Sequence, residues 1–410
     1  MSERYYKYYL GLLAAAPPLS TDMYLPAMPK LAELWSVSDS QVHLSLVLWF
    51  ATYGAMLLVW GSISDRYGRR PILIYGLSTF VATSLLCGLA GSVEQLIVAR
   101  ILQGAAAAGG SAMAMAIARD RFSGRDLQQI LAWIGVILGL APMIAPSIGA
   151  AILHYADWRW IFVVQGAMAA LTLGATLMFY QESAILGKRS GVSQLVLRYV
   201  RLMKNRNYLA TNGSTGILSA PLLGFVAFSP IAYMQNFGLS ESQFALVFGA
   251  NALCVVAGSA FCARMVGRIP EQRLLILALF GCLLGGILQL VWMSWWGWGP
   301  WPFGICLAIY SFAFGLSRPL VNHLVLSQVE HEFGAAASAI VCYQFLCGAV
   351  GMAVATASWG QPFYVFAVLS TVCPVATVLV LGLWLWNQRQ TQVGLPDVDL
   401  KDRLQPKPSS

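Results

Sequence analysis

Apolar stretches of roughly twenty residues follow one another along almost the whole chain, separated by short polar breaks. At ~1.5 Å of helix rise per residue, each is long enough to cross the hydrocarbon core of a bilayer. They fall near residues 6–30, 42–62, 71–91, 95–118, 127–152, 159–180, 208–234, 243–264, 274–296, 302–327, 334–357 and 362–386. The pattern predicts an all-α integral membrane protein of about twelve transmembrane helices. Pro17-Pro18 and Asp22 interrupt the first stretch, and no soluble domain follows it. It therefore reads as the first span and not as a signal peptide.

Composition agrees with this pattern. The 410 residues are 58% hydrophobic and 10% charged, with a mean hydropathy of +0.67, which excludes a water-soluble globule. The 38 glycines and 18 prolines suit membrane helices. All eight cysteines lie in apolar segments without a C-x-x-C pair, and read as small buried residues. His43, His154, His323 and His331 share no metal-ligand spacing, so no metal is expected.

Charge supplies the topology. Of the 25 Lys and Arg residues, 21 fall at the two ends or in alternate loops, leaving Lys30, Arg100, Arg159 and Arg318. That sorting predicts both termini on the cytoplasmic side of a bacterial inner membrane, and argues against a nucleic-acid partner. The longest basic loop divides the chain into an N-terminal bundle (1–180), a linker (181–207), a C-terminal bundle (208–387) and a polar tail (388–410). Within the linker, Val192, Leu195, Val196, Tyr199 and Leu202 recur at helical spacing opposite Arg198, Arg201 and Lys204, which predicts a helix on the inner membrane surface. Arg66-x-Gly68-Arg69 after the second span and Arg264-x-x-Gly267-Arg268 after the eighth mark the halves as distant repeats. Parallel repeats suit a transporter that rocks about a site at mid-membrane.

Asp22, in Ser20-Thr21-Asp22-Met23-Tyr24-Leu25-Pro26, is the charge most in need of a reason, because an ionised side chain at the bilayer centre costs ~2.5–3.5 kcal/mol or more. By helix rise it lies roughly 12 Å inside the outer end of the first span, and Arg100 roughly 8 Å inside that of the fourth, so the two can share a layer. They either form a structural ion pair or exchange partners as the halves rock, which would make Asp22 a proton carrier. In the fifth span, Gly135, Gly139, Ala141-Pro142, Ala145-Pro146 and Gly149-Ala150 make a small-residue face bent by two prolines. Between spans two and three, Gly61-x-x-x-Asp65-Arg66-x-Gly68-Arg69-Arg70 sets an acid among glycines and arginines, more than a topological anchor needs.

That last turn resembles the signature of the major facilitator superfamily at every quoted position. The resemblance implies a conformational latch, with Asp65, Arg66 and Arg69 holding the two six-helix bundles together in the outward-facing state around a central cavity. Arg100-Ile101-Leu102-Gln103-Gly104 is similar to the family's fourth-helix R-x-x-Q-G motif, and in drug-exporting branches the matching Arg and first-helix Asp have coupling roles. The fifth span resembles the antiporter signature, with Ala141-Pro142 for the usual Gly-Pro and Gly149-Ala150 for Gly-Gly. Thr-Asp-Met-Tyr-Leu-Pro-x-x-Pro resembles the bicyclomycin and chloramphenicol/florfenicol resistance branch, as do Trp158-Arg159-Trp160-Ile161-Phe162, Ser229-Pro230 and Gly334-x-x-x-Ser338-Ala339. The likeness covers about 1–385 and is weaker in the second half. Some relatives carry a further acid two turns before the first-helix Asp; here that position is Ala14, which leaves one titrating acid as the minimum.

Where the superfamily builds its pocket, this chain has Tyr24, Trp49, Tyr53, Phe228, Tyr233, Tyr310, Phe314, Tyr343, Gln344 and Phe345. These suit lipophilic, uncharged or singly cationic compounds if they are not simply helix packing. Arg318, roughly 24 Å from the outer end of its span, either pairs with Glu330 or Glu332, meets an anionic group of the substrate, or snorkels inward. His323 is the one histidine with a plausible role. The expected activity is export of small amphipathic drugs, phenicol- or bicyclomycin-like, in exchange for protons, by a monomer that needs no cofactor. A proton-linked transporter of an amino acid, nucleoside or siderophore is the alternative. No Gly-Lys-Ser/Thr phosphate loop is present to couple ATP, and no paired acids or His–Asp set suggest an enzyme.

Overall fold

The computed structural model describes residues 3–183, 192–330 and 332–393. Their regular structure is entirely helical, apart from an isolated bridge between Val266 and Ile269. The chain begins with α1 (Glu3–Asp22), a 3-10 turn (Leu25–Ala27), α2 (Met28–Trp35), α3 (Asp39–Tyr67) and α4 (Arg69–Gly88). There follow α5 (Val93–Arg121), α6 (Gly124–Tyr155), α7 (Arg159–Phe179) and the linker helix α8 (Val192–Lys204). The second half holds α9 (Arg206–Gly216), α10 (Ser219–Pro230), a π turn (Ile231–Asn236), α11 (Glu241–Met265), α12 (Glu271–Trp296), α13 (Pro300–Leu326), α14 (Phe333–Thr356) and α15 (Pro362–Val393).

Eleven helical runs among the described residues are long and apolar enough to cross a membrane, α9 to the π turn counting as one. The first of the twelve expected spans corresponds to α1, and here the structure corrects the sequence reading. The expected unbroken span 6–30 stops at Asp22 and resumes at Met28, because Pro26 and Pro29 lack the N–H groups that would carry the ladder on. At the other end, α15 runs to Val393, past the expected boundary at 387, and most of the expected tail lies outside the described residues, as does 184–191 of the linker.

Local chemistry starts the long helices cleanly. Ser38 and Gln41 form a capping box on α3, and Ser240 and Gln243 repeat it on α11. The Asn205 side chain accepts from the Tyr208 N–H at 3.0 Å to open α9. Between α3 and α4, Gly68 takes φ +97°, a conformation costly for any residue with a Cβ.

Two six-helix bundles result. In the first, α1 packs on α5, α6 and α7, and α5 on α3 and α4; in the second, α13 packs on α11 and α12, and α10 on α14 and α15. The bundles meet where α3 lies along α14 and α6 along α11. On the face opposite the termini the seam is closed by polar contacts. Lys30 Nζ lies 2.8 Å from Glu241 Oε1, Gln235 Nε2 donates to Asp39 Oδ1 at 2.7 Å, and Ser40 and Ser358 hydroxyls meet at 3.3 Å. The Lys30–Glu241 side chains are 49% and 32% exposed, so Lys30→Ala is expected to shift the open-to-closed ratio by at most roughly five-fold, about 1 kcal/mol. Distances between spin labels on α2 and α11 would read that shift, and a much larger one would make the pair a lock.

On the termini face, α8, expected on the inner membrane surface, makes contacts with the rest of the protein. Leu202 is buried among Tyr208, Val321, Val325 and Ile340, Arg201 pairs with Glu332 at 3.1 Å, and the Tyr199 hydroxyl donates to the Leu58 carbonyl on α3 at 3.3 Å. The second bundle thus offers Leu202 an apolar groove, while Leu197, Val200 and Met203 remain exposed.

Candidate functional site

Because α1 ends at Asp22, the carbonyls of its last turn have no continuing helix to bond them. Those of Leu19 and Thr21 accept from the N–H groups of Met23 and Tyr24. The Ser20 carbonyl instead accepts from Arg100 Nη1 at 3.1 Å and from Gln165 Nε2 at 3.2 Å. A guanidinium at a helix C-terminus meets both the unbonded carbonyl and the negative end of the helix dipole. Arg100 Nη1 also lies 3.2 Å from Ser20 Oγ and 2.6 Å from Gln103 Oε1. Gln103 Nε2 continues the network to Ser84 Oγ at 2.8 Å and to Gln165 Oε1 at 3.2 Å. Arg100 is wholly buried, its guanidinium within 5.1, 5.4 and 5.9 Å of the Tyr24, Trp49 and Phe162 ring centres. Next to it, Gly104 lies so close to the Trp49 carbonyl on α3 that a Cβ would not fit.

Of the two arrangements expected for Asp22 and Arg100, the ion pair is not formed among the described residues in this conformation. Asp22, 5% exposed, is instead reached by the Thr21 hydroxyl, whose oxygen lies 2.9 Å from Asp22 Oδ1 and 3.2 Å from the Pro17 carbonyl. The hydroxyl has one proton, so its bond to the carboxylate competes with one to the helix backbone. Arg100, fully engaged through Nη1, leaves Nε and Nη2 without partners. The two charges thus occupy adjoining but separate environments.

Asp22 faces a cavity of about 290 Å³ between the bundles. The first bundle contributes Pro17, Pro18, Trp49, Phe50, Tyr53, Gly139 and Pro142 to its walls, and the second Phe225, Phe248, Asn251, Val256 and Phe345. Trp49 stacks on Tyr53 with ring centres 5.1 Å apart, and Phe345 reaches across the seam to Phe50 and Tyr53 at 5.7 and 5.0 Å. Of the small-residue face of α6, Gly139 and Pro142 reach this cavity, Pro146 is buried, and Gly149 lies so close to the Met23 carbonyl that a Cβ has no room. Gly135 has open space on its Cβ side.

The remaining pocket candidates serve other contacts. Tyr24 bonds Ser45 at 3.1 Å, and Tyr310 donates to the Leu218 carbonyl at 3.0 Å. Tyr343 donates to the Gly213 carbonyl at 3.1 Å. Phe228 and Tyr233 belong to an aromatic cluster around Phe303, Phe314 packs with Leu279 and Cys282, and Gln344 is buried with its carbonyl accepting from Ser219 at 2.7 Å. Arg318 lies 5.5 Å from the Phe314 ring centre and makes no ion pair among the described residues. Glu332, one of its expected partners, pairs with Arg201. His323, expected inside the membrane, is 70% exposed and meets Glu271 at 3.0 Å on the surface.

The turn between α3 and α4 is tied within the first bundle. Arg69 bonds Asp65 at 2.6 Å and Asp120 at 2.9 Å, and the backbone N–H groups of Arg69 and Arg70 donate to the two Glu182 carboxylate oxygens at 2.9 and 3.0 Å. This carboxylate sits at the N-terminus of α4, where the helix dipole favours it. Arg70 Nη2 donates to the Leu177 carbonyl at 3.2 Å, and Arg66 lies over the Tyr67 ring. Asp65 forms no ion pair with the second bundle among the described residues, and a Cβ on Gly61 would meet nothing within 4 Å, so no helix packs closely on Gly61 in this conformation.

Sequence reading missed Asn251, Phe225 and Phe248 in the cavity, and Ser20, Gln165 and Glu182 in the networks. Asn251 carried a detectable signal, a lone amide in an apolar span. The others look like ordinary span or loop residues until tertiary contacts place them.

The comparisons agree with this architecture. Residues 10–352 match the family model described as Major Facilitator Superfamily. An uncharacterized MFS-type transporter, YdgK of Bacillus subtilis (strain 168), is 31% identical over 348 residues, covering 83% of this chain and 86% of the relative. The multidrug transporter MdfA of Escherichia coli O6:H1 is 28% identical over 358 residues, covering 83% of each. Among solved structures, a bacterial homologue of the human lysosomal transporter Spinster superposes with a TM-score of 0.67 at 14% identity, covering 98% of both chains. This multi-pass membrane protein therefore belongs to the Major Facilitator Superfamily and is a transporter.

Proposed function

We propose that this protein exports small amphipathic drugs from the cytoplasm in exchange for protons, as a member of the bicyclomycin and chloramphenicol/florfenicol resistance branch. The observation that carries the reading is a single carboxylate, Asp22, facing an apolar cavity at the seam of two bundles. The similarity to a multidrug transporter supports a drug as cargo. At about 290 Å³ the cavity is near the lower end of the range for ligand sites, and its aromatic walls suit flat or branched apolar groups.

Asp22 takes a proton when exposed to the acidic side and yields it when cargo enters from the other. The charged carboxylate holds the Thr21 hydroxyl, and on neutralisation that hydroxyl turns to the Pro17 carbonyl. Arg100 keeps Nε and Nη2 in reserve for the carboxylate in the alternate orientation, while Nη1 fixes the end of α1. Each proton moving inward down a 100 mV potential supplies ~2.3 kcal/mol, enough for a roughly fifty-fold gradient of neutral cargo. In this reading the termini and the basic loops face the cytoplasm, the protein works as a monomer in the inner membrane, and residues 1–180 and 208–387 rock about each other, joined by 181–207. The tail 388–410 follows. Asp65, released here from the second bundle, re-engages it when the termini face closes.

The test uses purified protein in liposomes with an imposed pH gradient and an internal pH-sensitive dye. Florfenicol or chloramphenicol is expected to trigger proton efflux in proportion to drug uptake. Drug movement that leaves the pH gradient untouched would overturn the coupling, and no movement of either drug would overturn the cargo.

A further inference from the structure

On α11, Phe248, Asn251, Ala252, Val255 and Val256 recur at helical spacing and face the cavity as one stripe. Four of the five are apolar. Asn251 is 92% buried by its 8% exposure, and its Nδ2 has no hydrogen-bond partner. A buried amide donor left unpaired carries a desolvation cost that an apolar residue of similar size at the same place would not. Across the seam, Trp49 also lines the cavity, is 1% exposed, and has an unpartnered Nε1. An indole N–H can only donate, whereas an amide turned about its last torsion can donate or accept. Asp22, with its Thr21 bond, is the remaining strongly polar group on these walls.

We infer that Asn251 is the polar contact through which the second bundle reads its cargo, and that with Trp49 it selects uncharged compounds bearing hydrogen-bond acceptors such as carbonyl, amide or hydroxyl oxygens. This rests on the cavity being the cargo site. Binding such a compound supplies the partners that both side chains lack, and it does so from opposite bundles, so cargo occupancy ties the halves through polar contacts as well as apolar ones. A purely apolar cation gains only wall contact and the Asp22 charge, and makes no use of Asn251.

Equilibrium binding of labelled chloramphenicol and labelled tetraphenylphosphonium to the purified full-length protein separates the possibilities. Chloramphenicol offers amide, hydroxyl and nitro oxygens, and tetraphenylphosphonium offers none. Asn251→Leu is expected to weaken chloramphenicol about three- to ten-fold, the loss of one net hydrogen bond, and to leave tetraphenylphosphonium within about two-fold. Asn251→Ala, which removes the amide without adding bulk, gives the same selective loss if the leucine variant is recovered poorly, and Asn251→Gln restores part of the affinity. Parallel weakening of both compounds, or unchanged chloramphenicol binding in the alanine variant, would overturn the role of Asn251 while leaving the cavity reading intact. Wild-type protein that binds neither compound would overturn both.

Discussion

Asp22→Asn is expected to abolish pH-driven drug export, with a loss of at least about a hundred-fold in gradient-dependent flux, while the protein folds and inserts normally. The asparagine keeps the shape of the carboxyl group and can still accept from Thr21, whose hydroxyl lies 2.9 Å from Oδ1. It removes the one carboxyl group on the cavity wall. Neutralising a carboxylate buried this deeply costs no ion pair, since none is formed here, and spares the penalty of a charge in an apolar site. The melting temperature in detergent should therefore hold or rise slightly. Any residual drug movement should be downhill and independent of external pH. Liposome flux measured across a series of pH gradients checks this, and undiminished pH-dependent export by the variant would place the proton elsewhere.

Arg100→Met is expected to eliminate coupled export as well, but for a different reason and with a different signature. Hydrogen bonds from a charged donor are worth ~1.5–3 kcal/mol each, and Nη1 bonds Ser20 and Gln103. Against that loss stands the recovery of a wholly buried guanidinium whose Nε and Nη2 are unbonded and which makes no ion pair among the described residues. The two effects are of similar size, as in other buried charges replaced by apolar residues of like volume. Net stability should change by no more than about 2 kcal/mol, with export reduced about a hundred-fold because the end of α1, and with it Asp22, is no longer held. Arg100→Lys retains the charge but not the planar stack on Tyr24, Trp49 and Phe162, and should recover only part of the activity. Thermal melting and liposome flux on the same preparations separate the roles. A large fall in melting temperature with export preserved per folded molecule would make Arg100 a strut alone.

The two variants also show where reading the chain stops. Asp22 and Arg100 were visible as charges out of place, and helix rise put them in one layer. That they face different partners follows from the break in α1 at Asp22, which frees the Ser20 carbonyl from the helix ladder and gives Arg100 an acceptor other than the carboxylate. Pro26 and Pro29 announce such a break in the sequence, yet not which side chain answers it. Aromatic residues in the expected pocket helices divided in the same way. Trp49, Tyr53 and Phe345 line the cavity, whereas Tyr24, Tyr310 and Tyr343 spend their hydroxyls on packing partners.

What the sequence by itself determined is the architecture. Span length, the sorting of arginine and lysine by loop, and the cost of a lone acid in an apolar segment are each properties of one stretch of chain against the bilayer, and need no knowledge of neighbours. The tertiary structure alone decided which polar atoms remain unpaired once the helices pack. It bonded Arg100 to the end of α1, bound Asp65 within its own bundle, buried Leu202 of the linker in a protein groove, and left Asn251 Nδ2 unbonded at the seam. Hydrogen-bond satisfaction is a property of pairs of groups brought together from distant parts of the chain, and only packing brings them together.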